Sequence, residues 1–328
     1  MANIWFAGAE CGDASEMTFS YLSLSNTCRT GSYSFSTWYA VDALYKTFDS
    51  SYSELFIQFA WKHDNSYSGQ SIFKWQSDTA VLGTLTVNAS NRVDAYTGDK
   101  SSQVGTGSRN LSVGGWNIIE LHISIADAGT IETKINGTSD ISFSGDTKPG
   151  SETSINRLSW LNNGGANFQY IDDIVVNDPT GTINNSWPNA ARIIRIYPSA
   201  DGAVHQWSCS SGSDHYALID EVPPSSSDYV TSTTIDQVDE FVLSNLPAEA
   251  KTIYAVRPYA FAVKENSDAP NQIALGVKVG TTNYMSTDLD LGVSYGVVRS
   301  LWETNPLTNA QWASTEVDDL QLVLQSRS

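Results

Sequence analysis

The sequence predicts an all-β protein of two tandem β-sandwich, jelly-roll domains with little helix. Three observations carry this prediction. Apolar and polar residues alternate with period two in short runs along the whole chain. The runs are separated by turns rich in Gly, Asn and Ser. Of the 328 residues, 41% are hydrophobic and 16% charged, which gives ample material for burial and an unusually small share of the charges that cover helices. The length exceeds one small core and suits two domains.

The elements follow in order. Residues 32–38 alternate Ser and Thr with Tyr33, Phe35 and Trp38, the pattern of a half-buried strand. Strands are expected next at 54–61, 71–75, 80–87 and 92–96. Residues 117–125 place Ile118, Glu120, His122 and Ser124 on one face and Ile119, Leu121, Ile123 and Ile125 on the other. The strand at 130–135 ends in Asn136-Gly137, a strong hairpin signal. Strands at 155–161 and 168–176 complete the first half. Residues 41–48 form its one helix candidate. Trp5, Trp38, Trp61, Trp75, Trp116 and Trp160 lie inside these patterns and are expected to pack the core.

Residues 177–189 hold two prolines, a glycine and four asparagines, which is linker chemistry. The expected division is a domain over 1–178, a linker over 179–190 and a second domain over 191–328. Strands are expected there at 192–197, 229–234, 239–243, 252–262, 271–279, 295–301 and 319–325, with one helical turn at 310–312.

With 18 Lys and Arg against 36 Asp and Glu, the net charge is −18. This excludes a nucleic-acid binder and disfavours an anionic membrane surface, because both require basic patches. Met1 to Phe6 runs into an apolar segment with no basic leader, so synthesis in a reducing cytosol is expected. Cys11, Cys28 and Cys209 are too few for a disulfide framework. For Cys11 and Cys28, free thiols are the preferred reading over a bond between them.

Asp172 and Asp173 are the candidate metal ligands, for calcium, which takes several carboxylate and carbonyl oxygens. The competing reading has one carboxylate hydrogen-bonded to a loop and the other solvated, because neighbours on a strand face opposite ways. No other cofactor is expected. His205, Cys209 and His215, with Asp214, have zinc-ligand types, but their spacing fits no familiar knuckle and local hydrogen bonding is the better reading. Hydrolysis of glycosides needs two carboxylates on one surface. Glu316-Val-Asp318-Asp319 starts such a motif but lacks its second Glu, so no catalytic residue is assigned and no enzymatic activity is expected. Trp187, Trp302 and Trp312 fall outside the strand patterns and are the interface candidates.

The first half resembles the concanavalin A-like, laminin-G-type jelly rolls. The resemblance lies in Gly115-Trp116-Asn-Ile-Ile-Glu-Leu-His122, in Gly129-Thr-Ile-Glu-Thr-Lys-Ile-Asn-Gly137 and in Tyr170-Ile-Asp-Asp-Ile-Val-Val176. It implies a two-sheet sandwich whose concave sheet binds glycan in some members. The whole arrangement, from Phe6-Ala-Gly-Ala-Glu10 through Asn184-Asn-Ser-Trp187 and Gly212-Ser-Asp-His-Tyr216 to Asn305-Pro-x-Thr-x-x-x-Trp312, resembles structural proteins of tailed bacteriophages. That implies a virion surface component assembled in the host cytoplasm, a capsid decoration or a tail or fibre part. Its implied partners are the major capsid protein or tail proteins and further copies of itself in a homo-oligomer. A carbohydrate-binding adhesin for host glycan is the alternative.

Overall fold

The computed structural model describes residues 2–19, 22–38, 40–64, 69–162, 168–250, 252–268 and 270–328. The chain is nearly all β, with antiparallel sheets, as a β-sandwich architecture requires. It divides into two compact units, Met1–Ile193 and Ile194–Ser328.

The first unit holds β1 (Asn3–Ala7), β2 (Thr18–Phe19), β3 (Leu22–Ser25), β4 (Ser34–Trp38), β5 (Ala40–Tyr52), β6 (Glu54–His63), β7 (Gln70–Gln76) and β8 (Val81–Val87). It continues with β9 (Arg92–Thr97), β10 (Ser102–Asn110), β11 (Trp116–Ser124), β12 (Gly129–Ile135), β13 (Thr138–Gly145), β14 (Ile155–Asn162) and β15 (Phe168–Asn177). One sheet of eight strands runs β13-β12-β11-β6-β15-β4-β3, with β1 also paired to β15. The second sheet, of seven strands, runs β10-β9-β8-β7-β14-β5-β2. The inner faces meet over one hydrophobic cluster. Phe59 of the first sheet lies 5.0 Å from Phe73 and 5.9 Å from Trp160 of the second, ring centre to ring centre. Trp5, Trp61, Trp75 and Trp160 are buried and Trp116 is half-buried; the side chain of Trp38 is outside the described residues.

Two local details show how sequence sets this packing. Asn136 and Gly137 have φ of 51° and 76°, the positive pair that a two-residue hairpin turn between β12 and β13 demands. A Cβ at Gly83 would stand 1.9 Å from the Trp75 ring, so only glycine lets that indole lie across β8. The helix expected at 41–48 is instead part of β5. Leu44 and Phe48 are buried in the cluster while Thr47 and Asp49 are exposed, a period of two that pairing with β14 locks in place.

The second unit holds β16 (Pro198–His205), β17 (Ser208–Cys209), β18 (Val230–Thr231), β19 (Val238–Leu243), β20 (Tyr259–Ala262), β21 (Gln272–Val279), β22 (Thr282–Met285), β23 (Leu289–Asp290), β24 (Gly296–Arg299) and β25 (Gln321–Arg327). Its six-stranded sheet runs β16-β19-β25-β21-β22, with β23 on β21, and two short hairpins pair β17 with β18 and β20 with β24. One face of the large sheet buries Phe241, Ile273, Leu275 and Leu324 against Ala260 and Val298. Residues 192–197 form no strand, and the strand expected over 252–262 is reduced to β20. The helical turn expected at 310–312 is likewise displaced: α1 is Ser314–Asp318, and Val317 is its buried residue.

Candidate functional site

Asp172 and Asp173 sit at an irregularity where β15 shifts register against β6, and Asp173 has φ of 48°. Both are fully buried. The bulge turns the two carboxyls toward one neighbourhood instead of opposite faces. Asp172 Oδ2 accepts the Arg29 and Thr30 backbone N–H groups at 2.8 and 3.2 Å, and its Oδ1 accepts that of Asp173 at 2.8 Å. Asp173 Oδ2 pairs with the Arg29 guanidinium and accepts the Thr30 hydroxyl at 2.8 Å, while Oδ1 accepts the Ile193 N–H at 2.7 Å. All four oxygens are thus taken by protein donors. The calcium expectation for Asp172 and Asp173, and the competing expectation of a solvated partner, both give way to a clasp that closes the 27–31 loop and residue 193 onto the sheet. Burial, and then the Asp173 charge, pushes the Asp172 carboxyl up to about 7, against the pull of its N–H donors.

The expected linker packs on the first unit. Asn189 donates its N–H to Glu120, and Ala191 exchanges two hydrogen bonds of 2.9 Å with the Gln58 amide. Trp187 meets Phe56 at 5.9 Å and His122 at 6.0 Å, and Lys134 Nζ lies 3.9 Å from its ring centre. Phe56, Gln58, Glu120, His122 and Lys134 share the outer face of the eight-stranded sheet by register. Trp187, expected at an interface, thus packs half-buried on residues of its own unit. Trp312 is corrected likewise: it is buried in the second unit's core, donating to the Trp302 carbonyl at 3.0 Å, and Trp302 packs on the same cluster.

His205 and His215 do come together, with ring centres 5.6 Å apart, but His215 Nδ1 is committed to the buried Asp239 carboxylate at 2.6 Å. Among the described residues no group of three His, Cys, Asp or Glu is placed to hold a metal. Cys11, Cys28 and Cys209 are half-buried and not disulfide-bonded.

The outer face of the seven-stranded sheet has a different character. Thr18, Tyr45, Ser159, Lys74, Thr84, Tyr96 and Gln103 are paired directly, each to the next, across seven strands. Directly paired residues of antiparallel strands share a face, so these seven form one row with no aliphatic side chain in it. At about 4.8 Å per strand the row is about 29 Å long. Thr18 and Gln103 at its ends are exposed, Tyr45 and Tyr96 half-buried, and Ser159, Lys74 and Thr84 at its centre buried. This face points away from the core, and we term the row, buried at its centre and exposed at its ends, the trough.

Beside the row, Arg157 pairs with Gln76 and stacks its guanidinium 3.8 Å from the Tyr45 ring centre. The Gln76 amide oxygen accepts the Ser159 hydroxyl at 2.6 Å. Lys74 reaches Asp99 at 3.1 Å, and that carboxylate is 59% exposed. The trough offers two aromatic rings, hydroxyls, an amide and two cations, the inventory that hydrogen-bonds and stacks on a polar, ring-shaped ligand. Sequence reading missed all of these residues. The one signal was Lys74, a charge inside the otherwise apolar run Ile72-Phe-Lys-Trp75; the register that aligns it with Tyr45 and Tyr96 is not written in any single strand.

No family model matches the chain, and no curated protein matches it. Among solved structures, the chain is similar to a cellulose-induced protein, Cip1, at 16% identity and a TM-score of 0.37, over 52% of this chain and 89% of that one. It is similar to an endo-beta-1,4-glucuronan lyase of Trichoderma reesei at 12% identity and a TM-score of 0.42, over 53% and 95% of the two chains. A carbohydrate esterase of the Shiga toxin-encoding bacteriophage phi24B is similar at 12% identity and a TM-score of 0.39, over 53% and 97%.

Proposed function

We propose that the chain is a non-enzymatic surface component of a bacteriophage particle whose first unit binds host glycan. The observation that supports it is the trough: a polar row across seven strands, framed by Tyr45 and Tyr96, on the outer face of the other sheet from the one that Asn189 and Ala191 pack on. Its floor supplies donors and acceptors to hydroxyl-rich ligands, and its rings supply apolar faces for sugar rings. No carboxylate lies in the row itself; beside it Asp99 pairs with Lys74, and Asp94, two residues before Tyr96 on the same face, accepts the Asn88 amide, and neither is assigned as the acid or base of glycoside hydrolysis. The virion setting rests on the residue patterns that resemble those of phage structural proteins, and a net charge of −18 suits it by keeping an exposed protein dispersed. Many copies on one particle would turn weak single-site binding into firm attachment.

The test is a glycan array probed with the full chain and with Tyr96→Ala, together with the copy number of the chain in purified particles by quantitative mass spectrometry. Saccharide hits that Tyr96→Ala loses, and a fixed copy number, are the expected results. No hits remove the binding role, release of sugar fragments removes the non-enzymatic one, and absence from particles removes the virion setting.

A further inference from the structure

Resting on the trough as a saccharide site, the next question is which class of sugar it takes. Two cations stand on its floor. Arg157 makes no ion pair among the described residues, and its Nε is buried without a hydrogen-bond acceptor. Burying a guanidinium N–H without an acceptor costs about 1–3 kcal/mol, and proteins rarely leave such a group unmet unless something else meets it. Stacking on Tyr45 fixes the plane of the fork without using its donors. Lys74 is the second cation, held by a mostly exposed carboxylate that water can compensate if the ammonium is drawn elsewhere.

The register places the two together. Arg157 pairs with Gln76, and Lys74 is two residues before Gln76 on the same face. They are diagonal neighbours, about 7 Å apart at Cβ. A carboxylate between them would accept the guanidinium fork on one side and the ammonium on the other, in charge-assisted hydrogen bonds stronger than those a hydroxyl receives.

We propose that the trough is specific for acidic glycans, sugars bearing a ring carboxylate, with Arg157 and Lys74 receiving that carboxylate and Tyr45 and Tyr96 flanking the sugar rings. The overall charge of −18 does not oppose this at contact range. Beyond about 8 Å in physiological salt the distant carboxylates are screened, whereas the two cations act within hydrogen-bond reach. Long-range repulsion lowers the association rate and leaves the seated contacts intact.

The experiment compares polymers and not only variants. The full chain is run by affinity electrophoresis through polygalacturonate, alginate and hyaluronan, and through the same three polymers after chemical reduction of their carboxyls to alcohols. The proposal expects retardation by at least one acid form, at least about tenfold stronger than by its reduced partner, as charge-assisted bonds allow. It further expects Arg157→Gln to abolish that preference and Arg157→Lys to restore part of it. Equal retardation by acid and reduced forms overturns the acidic specificity and leaves the saccharide site standing. Retardation by none of the six overturns the acidic specificity, and the glycan array then decides whether the saccharide site stands. Because the central comparison uses the unaltered chain, it holds whether or not the variants fold.

Discussion

On the eight-stranded sheet of the first unit, Gln58 and Glu120 point outward yet are buried, because Ala191 and Asn189 hydrogen-bond to them and Trp187 lies beside them on Phe56. On the seven-stranded sheet, Ser159, Lys74 and Thr84 also point outward and are also buried, but Arg157 next to them keeps a buried Nε without an acceptor. The two faces bury similar polar groups for different ends. The first is sealed by the chain's own residues and its partners are complete, which is what a structural face looks like. On the second, Lys74 pairs with Asp99, and the buried Nε of Arg157 has no acceptor among the described residues. Hydrogen-bond completeness, and not burial, distinguishes the two faces, and the second is the one proposed to bind.

Mutations break this comparison with effects of decreasing size. Asp173→Asn leaves Arg29 without its buried counter-charge and is expected to cost the first unit about 3 kcal/mol, read as a shift of the urea midpoint. Saccharide binding by the folded fraction should persist. The same clasp sets a pH slope. Asp172 titrates near 7 when folded, against an ordinary value of 3.8, so the folded unit binds the extra proton. Its contribution to stability is present below the ordinary value and is lost as the pH rises through about 7. Urea midpoints measured from pH 5 to pH 8 should fall, and the slope should vanish when Asp172 and Asp173 are both replaced by Asn.

Trp187→Ala removes a half-buried ring from the sealed face. The expected cost is about 2 kcal/mol, less than for a fully buried tryptophan, with binding again unchanged. Tyr96→Ala on the open face should invert the pattern, with stability altered by less than about 1 kcal/mol and saccharide affinity lowered about tenfold. Smallest of all is Gln103→Ala at the exposed end of the row, expected to change affinity by less than about twofold, since rim contacts carry little energy.

Much of the first unit was legible in sequence, because its strands alternate cleanly. Residues 117–125 show both faces of β11, and Asn136-Gly137 announces its hairpin turn. β5 was not legible: Val41 to Phe48 has no turn signal inside it, and only pairing with β14 decides between strand and helix. The second unit was harder. Its core is split into two small clusters, and Tyr197, Tyr229, Ile235, Val242, Val293, Tyr295 and Leu307 are exposed, so apolar residues there are weak guides to strands. The candidate site was least legible. Asp172-Asp173 was conspicuous as a pair and proved to be a clasp, because a bulge reoriented it. The trough is built from residues spaced as far apart as 18 and 159, each unremarkable in its own strand, and exists only in the register between strands.

The most direct test of the central claim is to map ligand contact by nuclear magnetic resonance, titrating the chain with the acidic oligosaccharide of highest affinity. The account predicts amide shifts at Tyr45, Lys74, Thr84, Tyr96, Arg157 and Ser159, with Gln58, Glu120 and His122 on the sealed face unmoved. Shifts confined to the sealed face, or to the second unit, would contradict it.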